Sequence, residues 1–331
     1  MRVVSFYRFV PFALAELPLW RRRLLALGQS VDLRGTVLMA EEGINGTVSG
    51  DEAAVAALVA LLRGDPRLAE LELKHSQAPE PVFHRFKVRI KREIVTFARP
   101  ELRLEQQAPV GTYVEPGDWN ALIRDPGTLV IDTRNAYEVA VGSFERAIDP
   151  GTANFHDFPD WVEDELRPLV ERERPRALAL FCTGGIRCEK ATAWLLRQGF
   201  EGVHHLRGGI LRYLEEVPEP DSSWRGECFV FDQRVALNHR LEPGEHSLCH
   251  GCRMPLSAAD RSHASYVSGV SCPHCHSERG QADRARFAER QHQVSLASVR
   301  GDRHIGQVFA SEVGPMAPAA AAIGGSTPDL P

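Results

Sequence analysis

The 331-residue chain has no apolar run near the ~20 residues that a bilayer-spanning helix needs, which argues against a membrane span. Residues 1–7 read as a β-strand. They lack the basic start, apolar middle and small-residue cleavage site of a secretion signal, so the expected location is the cytoplasm. Cysteine is scarce: there are seven, an odd number, and four of them fall in two Cys-x-x-Cys pairs. That pattern speaks against a disulfide framework and for metal ligation and thiol chemistry in a reducing compartment. No flavin, haem or nicotinamide motif is found, and no redox-metal triad. Nor is there an excess of positive charge. The net charge of −5 would by itself argue against a polyanionic ligand, but its distribution matters more. Lys+Arg against Asp+Glu stands at 16 to 13 in residues 1–110, 12 to 19 in 111–220 and 11 to 12 in 221–331.

What is present centres on residues 177–190. The unbroken apolar run 177–181 predicts a parallel strand covered on both faces, and Ala191, Trp194, Leu195 and Phe200 recur at helical spacing beyond it. Cys182 therefore stands at a strand's carboxyl end. The turn Thr183-Gly184-Gly185-Ile186 lets backbone N–H groups converge on the sulfur, and the following helix adds its positive end. A free thiol titrates near ~8.5, and a helix N-terminus with a neighbouring arginine, here Arg187, lowers that by one to several units. Cys182 is the candidate nucleophile; the plainer alternative is a buried cysteine in a glycine-rich turn. Four residues separate Cys182 from Arg187, whereas phosphatases that cradle phosphate on a similar turn use five. The smaller ring suits a sulfur or oxygen adduct. Cys188, on the first helical turn, is a candidate second thiol or simply a small residue.

At this length two or three domains are expected. Residues 1–95 read as βαββαβ, a ferredoxin-like or acylphosphatase-like α+β domain with helices on one face of its sheet. In its final strand Phe86, Val88 and Ile90 alternate with Arg85, Lys87, Arg89 and Lys91, which assigns the apolar set to the core and four cations to an open face. RNA contact and a merely solvated face are both open for that stripe. Glu41-Glu42-Gly43-Ile44-Asn45-Gly46 reads as a structural turn, and residues 96–110 as a linker. Residues 111–220 alternate strand and helix as a doubly wound α/β domain, with the ligand site at the strand carboxyl ends. Asp132, Arg134 and Glu138 tempt an acid–base assignment, but Arg134 and Glu138, four apart after a strand, read better as a fold-holding ion pair.

Asp132-Thr133-Arg134 with Glu138 and Gly142, the turn from Cys182 to Arg187, and Gly208-Gly209-Ile210 together resemble a rhodanese domain. Further residues extend the likeness: Ser5-Phe6-Tyr7, Glu42-Gly43-Ile44-Asn45, Cys188-Glu189-Lys190, and Glu227-Cys228-Phe229-Val230-Phe231-Asp232 followed by Arg234-Val235. Over roughly residues 1–300 the chain resembles the tRNA uridine hydroxylase family. That resemblance implies hydroxylation of the wobble uridine of certain tRNAs to 5-hydroxyuridine. It implies tRNA as partner, molecular oxygen and an unidentified reductant as co-substrates, and Cys182 as the required residue. One departure is Ser143, which follows Gly142 where rhodaneses commonly carry histidine. From the domain alone two other functions stay open: a sulfurtransferase carrying a persulfide on Cys182, and a non-catalytic RNA-binding adaptor. DNA is not an expected partner, and nothing in the sequence specifies an oligomeric state.

Residues 221–300 carry Cys249-x-x-Cys252 and Cys272-x-x-Cys275 with nineteen residues between the pairs, the spacing of a four-thiolate zinc ribbon. A structural zinc is expected there, with a metal-free knuckle as the alternative; His250, His274 and His276 stand as reserve ligands or phosphate contacts. The region has too little apolar sequence to fold alone. Residues 283–300, with Arg284, Arg286, Arg290 and Arg300, read as a solvated helix, and residues 301–331 as a disordered tail.

Overall fold

The computed structural model describes residues 1–102, 104, 109–301 and 305, so residues 103 and 105–108 of the expected 96–110 linker, and all of the expected 301–331 tail but residues 301 and 305, lie outside the described residues. Residues 1–291 form one compact unit and 292–331 another. The chain opens with β1 (Arg2–Phe9), α1 (Leu17–Ser30), β2 (Arg34–Ala40), β3 (Gly43–Gly50), α2 (Glu52–Arg63), β4 (Leu73–Gln77) and β5 (Phe86–Ile90). The strands form one sheet in the order β4-β1-β3-β2-β5, with β5 parallel to β2 and the other pairs antiparallel. Asp51 starts α2 by accepting a hydrogen bond from the Ala54 amide at 2.7 Å, a cap worth about 1 kcal/mol. Trp20 and Leu24 of α1 and Val55, Leu58 and Leu62 of α2 bury the sheet face that carries Val4, Phe6, Val37, Val48 and Val88.

Cross-strand partners share a face, so the register fixes the opposite side. One row there reads Lys74, Ser5, Thr47, Thr36, Lys87 and the next Tyr7, Asn45, Leu38, Arg89. Arg85, Lys87, Arg89 and Lys91 are all exposed, as the alternation requires. Ile90 departs from the expectation of a core residue: it is 38% exposed, because it closes an edge strand with a neighbour on one side only. The face is also not open throughout, since its Tyr7 end is covered by the next part of the chain.

That part comprises β6 (Thr112–Val114), α3 (Pro116–Arg124), β7 (Thr128–Asp132), α4 (Ala136–Val139), β8 (Gly142–Phe144), α5 (Phe158–Trp161), α6 (Arg167–Glu173), β9 (Ala177–Phe181), α7 (Ile186–Arg197), β10 (Val203–Leu206) and α8 (Gly209–Glu216). A π-helical turn, Val162–Leu166, joins α5 to α6. The parallel sheet β6-β10-β9-β7 has β9 in its interior, and every residue of β9 is buried, as an unbroken apolar run demands. Next, β11 (Trp224–Gly226) pairs with β8, and β12 (Cys228–Phe229) with β13 (Ala236–Leu237). The short strands β14 (Ser247–Leu248) and β15 (Pro255–Leu256), then α9 (Ala258–Ser262) and α10 (Gln281–Val299), complete the described elements.

Lys190 of α7 ties the first sheet to the second. Its ammonium, 1% exposed, donates to Glu42 at 2.9 Å, to Glu93 at 2.6 Å and to the Val95 carbonyl at 3.0 Å. The Glu42 turn, which the sequence presents as structural punctuation, thus supplies half of a buried ionic latch. Removing the lysine leaves two partly buried carboxylates without their cation. Lys190→Met should cost roughly 3–5 kcal/mol in denaturant unfolding, and adding Glu42→Gln and Glu93→Gln should recover most of that loss. An unchanged unfolding midpoint for Lys190→Met would show that the latch carries no stability.

Candidate active site

Cys182 follows β9 directly, and α7 begins at Ile186, so Thr183, Gly184 and Gly185 make the whole turn. Gly185 adopts a φ of 97°, a conformation that side chains resist, and its amide donates to the Cys182 sulfur at 3.1 Å. The second glycine pair lies behind: a Cβ on Gly209 would come within 2.5 Å of the Cys182 carbonyl oxygen, so only glycine permits this approach. The amide of Ile210 donates to that same carbonyl at 3.0 Å. Burial pushes the Cys182 thiol up. A hydrogen bond from Cys188, the Arg187 charge and the backbone amides of Cys188 and Arg187 outweigh burial and bring it down to about 5. Cys188 moves the other way, driven first by its own burial and then by the anion beside it, and so remains the thiol that donates. Since the unfolded chain holds this proton up to about pH 9, the stabilising contribution of the Cys182 thiolate is fully present above pH 9 and is lost as the pH falls toward 5.

Arg187 does not project free charge into solvent. It pairs with Glu138 at 2.5 and 3.2 Å, both side chains buried, and reaches the Thr183 hydroxyl at 3.5 Å. The ion pair expected between Arg134 and Glu138 does not form. Arg134 instead grips Asp132 through its Nε at 2.9 Å and Nη2 at 2.6 Å, with both side chains fully buried, donates to the Gly142 carbonyl at 2.6 Å, and reaches Glu138 only at its backbone carbonyl. The reason is reach: the capping box of α4 turns the Glu138 carboxylate toward Asn135 and Arg187. Ser143 donates to Asp132 at 2.7 Å and so belongs to this network.

The turn does not open the sulfur to solvent, for Cys182 has no exposed surface. Tyr7 of β1 covers the turn, its hydroxyl lying 2.8 Å from where a Gly185 Cβ would stand. That hydroxyl donates to Glu189 at 3.1 Å, and Tyr113 donates to both oxygens of the same carboxylate at 2.8 Å. Burial raises the Glu189 carboxyl above its usual range. Beside this cluster a cleft of about 570 Å³, open mouth included, is lined by Ser5, Thr47, Lys74, Thr183, Phe231 and Arg234 among others. Sequence reasoning assigns no role to Lys74, Glu189, Lys190 or Tyr113, and names Tyr7 only within a motif. The signal for Ser5 and Tyr7 is their period-two placement opposite the core residues Val4 and Phe6.

A model described as a UPF0176 acylphosphatase like domain matches residues 1–94, and one described as a rhodanese-like domain matches residues 115–216. The tRNA uridine(34) hydroxylase of Synechococcus sp. (strain CC9605) is 55% identical over 302 residues, 90% of this chain and 92% of that protein. The chain belongs to the tRNA uridine(34) hydroxylase family. The protein of the same name from Caulobacter vibrioides (strain NA1000 / CB15N) is 51% identical over 94% of this chain and 98% of its own length. The Gluconobacter oxydans (strain 621H) protein of that name is 49% identical over 92% and 96%.

The residues that carry the family likeness converge in space. Tyr7, Glu42, Glu189 and Lys190 pack the first sheet against the cysteine turn. The stretch from Glu227 to Val235 spans the same junction: Arg234 donates to Ser76 Oγ at 2.8 Å and the Gln233 amide to the Val82 carbonyl at 3.1 Å. Its Glu227 carboxylate accepts from the Glu245 amide at 2.7 Å and contacts the His246 ring at 2.7 Å, which orients the entry to the cysteine-rich segment.

There Cys249, Cys252, Cys272 and Cys275 bring their sulfurs within 4.8 Å of one another. The separations of 3.6 Å (Cys252 to Cys272), 3.7 Å (Cys272 to Cys275) and 4.0 Å (Cys249 to Cys275) suit a tetrahedral zinc, whose thiolates about 2.3 Å away stand about 3.8 Å apart. Among the described residues this cluster holds no histidine, and His274 faces Asp260 at 3.5 Å instead. The helix beyond is not merely solvated. Arg290 donates to the His250 and Gly269 carbonyls, and Arg284 to those of His276 and Arg279, because these knuckle carbonyls have no strand to pair with. Among the described residues the apolar cluster around the cysteines adds only Leu256 and Tyr266, so a metal would replace a core. Elemental analysis should find about one zinc per chain. Cys252→Ser should lose it and lower the unfolding temperature, whereas a chain purified without chelator and free of metal would rule the zinc out.

Proposed function

We propose that this chain hydroxylates carbon 5 of uridine 34 in tRNA to 5-hydroxyuridine, with Cys182 as the reactive group and molecular oxygen and a reductant as co-substrates. The observation that carries the assignment of Cys182 is its place at the end of β9, where the Gly185 amide donates to its sulfur and its neighbour Thr183 lines the cleft; Arg187 and the amides of the turn hold its thiol below the usual range. One oxygen atom enters the base and the other leaves as water, so the reductant supplies two electrons. A thiolate contributes by adding to the electron-poor carbon 6 of uracil. The sulfur lone pair forms the carbon 6–sulfur bond, the displaced charge passes to the ring carbonyl, and carbon 5 becomes electron-rich and takes up the oxygen; loss of the carbon 5 proton then re-forms the ring double bond and expels the thiolate. Because the sulfur is enclosed, the base gains access only when the Thr183 side of the turn shifts. Arg187 and Cys188 act through Cys182, the first by charge and the second by donating its S–H. A sulfurtransferase reading needs a persulfide on the same sulfur, and no contact in the site favours it.

The exposed cations Arg85, Lys87, Arg89 and Lys91 are proposed to hold the RNA backbone. Lys87 and Arg89 share the sheet face of Ser5 and Tyr7, so a strand of RNA crossing them runs toward the cleft. Neutralising all four should weaken tRNA binding and flatten its dependence on salt by roughly 0.7 log units per log unit of salt for each phosphate the protein no longer neutralises. A quadruple variant with unchanged affinity and salt slope would return these side chains to solvent.

Nucleoside mass spectrometry of tRNA from cells lacking the gene and complemented with variants tests the chemistry. Cys182→Ser should abolish 5-hydroxyuridine, since a hydroxyl fits the turn but forms no anion near neutrality. Cys188→Ser should keep most of it, because a hydroxyl still donates to the thiolate. Cys188→Ala should move the acid limb of activity upward from about pH 5 as the donor is removed. Full product from Cys182→Ser would remove Cys182 from the mechanism, and equal loss in Cys188→Ser would replace donation with a two-sulfur relay.

A further inference from the structure

The stretch from Phe229 to Val235 contains an aromatic ring that packing does not explain. Phe231 is 64% exposed, yet it is braced edge-on by Phe229, 5.2 Å away at 86°, which is braced in turn by Tyr137 at 5.4 Å and 79°. The ladder runs out of the core and ends on a bare ring at the cleft. The turn behind it is stiff. Asp232 accepts from the Arg234 backbone amide and from both sides of its guanidinium, Arg234 is anchored on Ser76 and Gln77 of β4, and the Val235 amide closes back on Asp232. Val235, although β-branched, sits at a φ of 65°, a conformation such residues adopt only where the surroundings impose it. Phe231 is therefore held in fixed relation to β4, the strand that carries Lys74.

Lys74 lines the same cleft. Its ammonium stands 4.9 Å from the centre of the Tyr7 ring, and among the described residues no carboxylate lies within ion-pair distance of it. Burial pulls its pKa below the usual lysine range. Asp232, which also lines the cleft, is already neutralised by Arg234, and Glu215, another lining residue, is exposed. An aromatic platform, a cation suited to a carbonyl oxygen, and the residue next to the reactive thiolate thus share one concave site.

We infer that this cleft receives a single pyrimidine swung out of the RNA loop, which stacks on Phe231 while Lys74 donates to one of its carbonyl oxygens. Recognition of unpaired RNA works through such stacking on a ring with a polar group at the base edge. The inference rests on the proposed action on a tRNA uridine, and it gives the Phe231 stretch a role that its packing lacks. A labelled anticodon stem–loop with uridine at position 34, and the same hairpin with an abasic residue there, separate base capture from backbone affinity. Phe231→Ala should weaken binding of the uridine hairpin by roughly 5- to 150-fold and leave the abasic one unchanged. Phe231→Trp should keep wild-type affinity, and Lys74→Met should show a smaller loss that also needs the base. Equal binding of the uridine hairpin by wild type and Phe231→Ala, or an equal loss on both hairpins, would overturn the inference. Binding is read without turnover, so a wild-type gene that fails to restore 5-hydroxyuridine in cells would refute the proposed reaction separately.

Discussion

The ammonium of Lys190, out of contact with water and held between Glu42 and Glu93, is the constraint on which the rest of the site depends. An ion so enclosed is tolerated only if its partners are fixed. Its partners flank the first sheet while the lysine itself rides on the helix that starts at the cysteine turn. Burial raises the Glu42 carboxyl, whereas against its own burial Glu93 is drawn down by the lysine and by the Phe97 and Ala98 amides. Immediately before it on the same helix, Glu189 receives Tyr7 and Tyr113. Consecutive residues of α7 thus set the distance between the sheet face and the sulfur, and that distance makes the cleft.

Within the turn the energetics follow a similar logic at shorter range. An enclosed anion is unfavourable unless donors surround it, and Cys182 has the Gly185 amide, the first amides of α7 and the neighbouring thiol. Arg187 adds charge, but Glu138 and Asp132 keep the local sum close to balance. The thiolate is stabilised by the neighbouring thiol, the Arg187 charge and the amides of the turn together. The two cysteines diverge because only one of a coupled pair ionises readily.

Much of this arrangement is legible in the sequence wherever the signal is local. The run 177–181, the glycines after it and the cysteine spacing are short-range patterns that correspond to observed elements or a cluster, and the βαββαβ order is met with one strand more, the edge strand β5. The partnerships are not legible, because Lys190 meets Glu42 across 148 residues and Tyr7 meets Glu189 across 182. Period-two alternation puts Lys87 and Arg89 on the correct face, but it cannot show that one end of that face is covered or that Ile90 falls at a sheet edge. The exchange of partners among Asp132, Arg134, Glu138 and Arg187 depends on a capping geometry that spacing alone does not encode. The roles of Arg284 and Arg290 escape the sequence because carbonyls that need donors leave no trace in side-chain patterns.

A cysteine whose pKa is lowered although it is wholly enclosed separates two properties that usually travel together. The groups around the sulfur set its charge, while its burial limits the access of any small electrophile. Peroxide meets no sulfur surface in the resting protein, so irreversible overoxidation, the usual hazard of a standing thiolate, is held back by sterics rather than by a scavenger. On the function proposed above the same wall has to yield to a base, so the sulfur would be bared only while the opening is filled.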